Sequence, residues 1–91
     1  MNPGIRADKF LWAVRIFKTR SQAAEACAFE KVRINGQTLK ASRILHQGEI
    51  FSVKFGAFER TFKIIELVKN RQPASKVISF CEETTPQSTL D

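Results

Sequence analysis

Fifteen lysine and arginine side chains stand against nine carboxylates in this 91-residue chain, and their placement is uneven. Residues 1–45 carry nine basic groups, Arg6, Lys9, Arg15, Lys18, Arg20, Lys31, Arg33, Lys40 and Arg43, against the acids Asp8, Glu25 and Glu30. Residues 46–91 carry six of each sign, so the whole net charge of +6 belongs to the first half. A charge spread for solubility alone would be more even. This asymmetry is the one expected of a face that meets a polyanion, with arginine forking onto phosphate and lysine acting as a point charge.

Other chemistries lack their residues. His46 is the single histidine, with no cysteine or carboxylate at zinc-like spacing, so no metal site is expected. Cys27 and Cys81 each sit among apolar neighbours, as buried thiols of a reducing cytoplasm do, and two cysteines make a poor disulfide framework. No Ser-His-Asp set, P-loop or dinucleotide fingerprint occurs, so neither catalysis, a cofactor nor a small-molecule substrate is expected. No uncharged stretch approaches the ~18 apolar residues of a membrane span, and no secretory h-region follows Met1.

The elements that must position these charges can be read in order. Met1 to Arg6, with Pro3-Gly4, reads as a loose arm. Asp8 suits the cap or first turn of a helix. Phe10, Leu11, Val14 and Phe17 then follow the spacing of one helical face, with Lys9, Trp12, Arg15 and Ile16 around the other side. Thr19-Arg20-Ser21 interrupts the pattern. Ser21 is the expected N-cap of an Ala-rich second helix over 22–29, supported by Glu25. Lys18, Arg20 and Ser21 thus crowd a helix N-terminus, which itself favours an anion.

The period then changes. Val32 and Ile34 lead into Asn35-Gly36, the dipeptide suited to a type I′ hairpin, and Thr38-Leu39 returns. Residues 41–47 form a connection carrying Arg43 and His46, and Gly48-Glu49 turns. Phe51, Val53 and Phe55 alternate as a half-buried strand, Gly56-Ala57 turns again, and 58–68 reads as a second long strand. Asn70 to Ser75 is a polar loop, and 76–81 is open between helix and strand. Residues 82–91 read as a polar tail after a single domain over 1–81. Leu11, Val14, Phe17, Ala24, Cys27, Val32 and Ile34 are expected to meet in one core. Trp12 is expected to pack rather than stack on a base. The later phenylalanines are expected to be core and not a stacking platform.

The strings Arg6-Ala7-Asp8-Lys9-Phe10-Leu11-Trp12, Phe17-Lys18-Thr19-Arg20-Ser21, Lys31-Val32-Arg33-Ile34-Asn35-Gly36, Lys40 with Ser42, and Gly48-Glu49-Ile50 resemble the S4-type RNA-binding domain, with a core motif over 6–53. Asp-Lys-Phe-Leu-Trp and Phe-Lys-Thr-Arg-Ser, with Glu59-Arg60-Thr61, Asn70 to Ser75 and Glu82-Glu83-Thr84, resemble the bacterial heat shock protein 15 family within it. The resemblance implies an α+β fold, an αL motif of two N-terminal helices on a small, mostly antiparallel sheet. It further implies binding of structured ribosomal RNA of the large subunit, in stress-related rescue or recycling. The sequence departs from the pattern at Ala7, where Leu is favoured, and at Glu30, where Gly would adopt a left-handed cap at no steric cost. Such relatives also carry a basic helical extension after the Glu-Glu-Thr region, and this sequence ends at Asp91.

The expected RNA face comprises Arg6, Lys9, Arg15, Lys18, Thr19, Arg20, Ser21 and Gln22, centred on Lys9, Arg15, Lys18 and Arg20. Lys31, Arg33, Asn35, Lys40 and Arg43 form a second edge around the hairpin. Basic groups outnumber candidate base readers, and side chains cannot enter the deep major groove of A-form RNA, so recognition by shape and phosphate is expected. A monomeric cytoplasmic RNA binder is the first reading. A protein-interaction or chaperone-like module meeting an acidic partner, or DNA, is the alternative.

Overall fold

Asn35 and Gly36 both take left-handed backbone, φ 54° and 77°, and close the type I′ hairpin that their dipeptide predicts. The computed structural model describes residues 4–84. The hairpin joins β2 (Val32–Ile34) to β3 (Gln37–Thr38), and β2 pairs on its other side with β5 (Ile50–Phe55). β6 (Phe58–Ile64) and β7 (Cys81–Glu83) complete an antiparallel sheet of order β3-β2-β5-β6-β7. Alternation sends Val32, Ile34, Phe51, Val53, Phe62 and Ile64 to one buried face. Against that face lie α1 (Ala7–Ala13) and α2 (Arg20–Ala28). Phe10 of α1 meets Phe51 edge-on at 6.3 Å, and Phe51 stacks on Phe62 at 5.6 Å. The architecture is the expected α+β arrangement.

Both helices end in the same way. Beyond α1, Arg15 N–H donates to the Trp12 carbonyl and Ile16 N–H to that of Leu11. Beyond α2, Glu30 N–H donates to Cys27 and Lys31 N–H to Ala26. These are paired Schellman bonds, and they require a left-handed residue just past the cap. Arg15 and Glu30 supply it, at φ 62° and 60°, where glycine is the usual choice. The first helix therefore stops at Ala13 and does not run to Phe17 as the apolar spacing predicts. Phe17 is half-buried and lies 6.3 Å from Phe55.

Other expectations shift by small amounts. The N-cap of α2 is Thr19, whose Oγ1 accepts from Gln22 N–H at 3.0 Å, and not Ser21. Ala23 and Ala26 reach the core, while Ala24 is only half-buried. The arm is not loose at Ile5–Arg6, which forms β1 against β4 (Ile44–Leu45) inside the expected connection. A Cβ at Gly4 would lie 2.6 Å from the Leu45 carbonyl, so glycine admits this approach. β6 ends at Ile64 rather than Val68, because Ile65 N–H turns to the Phe80 carbonyl at 2.8 Å. Residues Ala74–Ser79 form a 3-10 helix, and β7 carries the sheet two residues past the expected boundary at 81. The rest of the expected tail, from residue 85, lies outside the described residues. Trp12 packs against the core, as expected. Among the described residues no helix is long and apolar enough to cross a membrane.

Two outcomes follow from this packing. Glu30→Gly removes the left-handed strain of an L side chain, about 1–2 kcal/mol, against the larger chain entropy that glycine loses. The variant is expected to gain about 0.5–1 kcal/mol in urea unfolding, and a loss would show Glu30 to be unstrained. Burial, with a smaller contribution from Asp8, pushes the Cys27 thiol up to about 11. Burial, helped by Glu83, takes Cys81 to about 12. The folded state holds these protons more tightly than the unfolded chain, so their stabilisation is complete below the ordinary thiol value of 9.0 and fades as pH climbs through 11 and 12. Above pH 9.0 a Cys27→Ala/Cys81→Ala protein is expected to lose less stability than the parent as pH rises in urea titrations.

Candidate nucleic-acid interface

Asp8, the one buried charged residue among those described, lies in the first turn of α1 with its side chain 8% exposed. Such a carboxylate needs partners. Its Oδ1 accepts from Lys9 N–H at 2.8 Å and from Arg6 Nε at 3.3 Å, and Oδ2 accepts from Arg6 Nη2 at 3.3 Å. Arg20 Nη2, from the start of α2, reaches Oδ1 at 3.5 Å. One carboxylate thus draws together a guanidinium before α1 and another from α2. Half of each arginine side chain remains in solvent, so two fixed cations face outward over one buried anion.

The start of α1 is tied down a second time. Ala7 N–H donates to the Arg43 carbonyl at 2.8 Å and Asp8 N–H to that of Ala41 at 3.1 Å. These bonds satisfy helix amides that would otherwise be orphaned, and they bring the 40–43 turn beside Arg6. The Arg43 side chain has a different task. Its Nη2 pairs with Glu49 at 3.1 Å, and Glu49 also accepts from His46 N–H at 2.7 Å. Arg43 therefore braces its own loop, while Lys40 stays exposed at the turn.

The expected face is thus brought together only in part. Arg6, Lys9, Thr19, Arg20, Ser21 and Gln22 lie at the starts of the two helices, with Lys18 exposed in the turn between them and Lys40 exposed in the turn whose Ala41 and Arg43 carbonyls hold α1. Arg15 is not on the helix face assigned to it. It sits past the helix end, and its Nε donates to the Gln72 carbonyl at 2.6 Å. Arg33 points away from Val32 and Ile34, on the outer face of the sheet between Thr38 and Ser52, and Asn35 sits in the hairpin tip. The sheet separates these two from Asp8. Lys31 lies past α2 and is joined to Lys54, whose N–H donates to its carbonyl at 2.7 Å.

Sequence reasoning missed the brace under the inter-helix turn. Gln72 N–H donates to the Ala13 carbonyl at 2.9 Å, and Arg71 Nη2 reaches the Phe17 carbonyl at 3.4 Å. With the Arg15 bond to Gln72, these contacts hold the 13–17 segment from a loop more than fifty residues away. No local pattern announces such a contact. Among the described residues no group of three or more metal-ligating side chains occurs.

A basic face built on two short helices over an antiparallel sheet defines a class, and residues 5–51 match the S4 domain. The chain belongs to the S4 domain family. Within it the sequence is similar to heat shock protein 15 of Escherichia coli strain K12, 39% identical over 80 residues that take in 88% of this chain and 60% of that protein. The chain thus spans about 60% of the length of this curated relative. The trimeric structure of Vibrio cholerae heat shock protein 15 superposes with a TM-score of 0.84 at 32% identity, covering 96% of this chain and 86% of that one. The RQC P-site tRNA stabilizing factor of Bacillus subtilis is 36% identical over 63 residues, 69% of this chain and 73% of its own length.

Asp8 carries a testable energetic role. Asp8→Asn keeps the shape but removes the charge that two arginines share. It is expected to cost about 1–3 kcal/mol in urea unfolding, because charge-assisted bonds in a buried site are replaced by weaker ones. An unchanged midpoint would show the pair to be incidental.

Proposed function

We propose that the protein binds structured ribosomal RNA through the face gathered around Asp8, reading duplex shape and phosphate position without catalysing a reaction. The observation that carries this reading is the convergence of Arg6 and Arg20 on one buried carboxylate, with Lys9 next to it in α1 and Lys18 and Lys40 exposed in the neighbouring turns. Guanidiniums held at fixed spacing match a rigid phosphate backbone better than freely moving ones, since less rotamer freedom is lost on binding. The names of the relatives point the same way. One is heat shock protein 15 and another is a P-site tRNA stabilizing factor, which supports a ribosome-related RNA as the ligand. A place on the large subunit in stress-related rescue or recycling, in the cytoplasm, completes the proposal. We take a single copy as the RNA-binding unit.

Salt dependence tests the assignment. Lys9→Ala/Lys18→Ala removes two cations that make no ion pair among the described residues. It is expected to weaken binding of a ribosomal RNA hairpin and to flatten the log–log salt slope by roughly 1.5–2, as two lost phosphate contacts would. Lys63→Ala/Lys76→Ala is the control, with Lys63 paired across the sheet with Glu82. Equal weakening by both pairs would move the face elsewhere. Equal affinity of the parent for RNA and DNA duplexes of one sequence would overturn recognition by A-form shape.

A further inference from the structure

Phe29 is 66% exposed, although it closes a helix whose Ala23, Ala26 and Cys27 are buried. It stands in the wall of a groove of about 510 Å³ where α2 meets the turn between β5 and β6. Phe17 and Phe55 also line this groove, their rings 6.3 Å apart and tilted by 32°. Three aromatic rings therefore face one concavity. Lys31 and Lys54 line it too, both exposed and held side by side by the Lys54–Lys31 backbone bond. Glu25 is the one acid in the lining, leaving a net positive charge.

The groove borders the inter-helix turn: Phe17 lines it next to the exposed Lys18, and Gln22 lines it from the first turn of α2, on the flank of that helix opposite Arg20. Exposed rings beside lysines suit a nucleobase flanked by phosphates: the ring offers a stacking surface indifferent to base identity, and the ammonium groups hold the backbone. A paired base cannot enter, because its faces are already stacked.

We propose that this groove takes one unpaired nucleotide next to the duplex, with its base stacked on Phe29 and its phosphates held by Lys31 and Lys54. The inference rests on the reading of the chain as an RNA binder and adds a preference for stems interrupted by an unpaired base.

The experiment compares two RNA hairpins, identical except that one carries a single unpaired 2-aminopurine beside the stem. The parent is expected to bind the interrupted hairpin more tightly and to change the fluorescence of the unpaired base. Phe29→Ala, at an exposed position, is expected to lose about 5- to 150-fold in affinity for the interrupted hairpin, the range for one stacked base, and to keep its affinity for the continuous one. Phe29→Tyr, which retains a stacking ring, is expected to restore the preference. Equal parental affinity for both hairpins overturns the proposal, as does Phe29→Ala weakening both alike or neither. A parent that binds neither hairpin overturns the RNA reading itself, an outcome distinct from the loss of the preference alone.

Discussion

The carboxylate of Asp8 is the constraint on which the arrangement turns. Helices of seven and nine residues are too short to persist alone, because nucleation costs more than so few hydrogen bonds return. Their register must come from outside. Asp8 provides it by binding the residue before α1 and the first residue of α2, while the carbonyls of Ala41 and Arg43 receive the first amides of α1. Burying a charge is costly, and a hydrophobic pair would hold the helices together as well. The ionic solution does something a hydrophobic one cannot. It leaves two cations half in water, so the interaction that links the two helix starts also builds the charged surface.

A division of labour among the cations follows. All four ion pairs recorded among the described residues use arginine: Arg6, Arg20, Arg43 and Arg60. Arg15 and Arg71 donate to backbone carbonyls instead. Arg60 is held by Glu83 and lies over the rings of Phe55 and Phe62, fixing the far edge of the sheet. The lysines make none of these ion pairs. Planar, multiply donating guanidinium suits a structural joint, and a mobile ammonium suits a surface charge. Counting positive charge along the sequence treats the two alike, which is why Arg15 and Arg43 entered the expected face although both are engaged internally.

Legibility divides along the same line between local and distant. The hairpin at Asn35-Gly36, the alternation of Phe51 and Val53, and the Ala-rich second helix depend on neighbours within a few residues, so their residue types announce them. Glu30 could also be read, because a family pattern marks the position as one that wants glycine. Arg15 could not. It plays the same left-handed role at the end of α1, but nothing in its residue type signals a helix stop, and the apolar spacing continues through Phe17. β1, β4 and β7 are two or three residues long and exist because of partners remote in the chain. Of the side chains gathered around Asp8, the basic character of Arg6, Lys9 and Arg20 is visible from the sequence, while the carboxylate that joins Arg6 to Arg20 is not. The Arg71–Gln72 brace and the aromatic groove behind α2 were not, since each joins segments that only folding brings together.

The five-stranded sheet has short margins. Its outermost strands are β3, two exposed polar residues, and β7, whose outer positions carry Glu82 and Glu83. An open strand edge is a template on which another chain can grow, and its reach scales with the run of free amides and carbonyls it offers. Among the described residues one margin is two residues long and the other three, and on β7 Glu82 lies across from Lys63 while Glu83 is bonded to Arg60. Neither margin offers the long run of free amides and carbonyls on which another chain could extend the sheet.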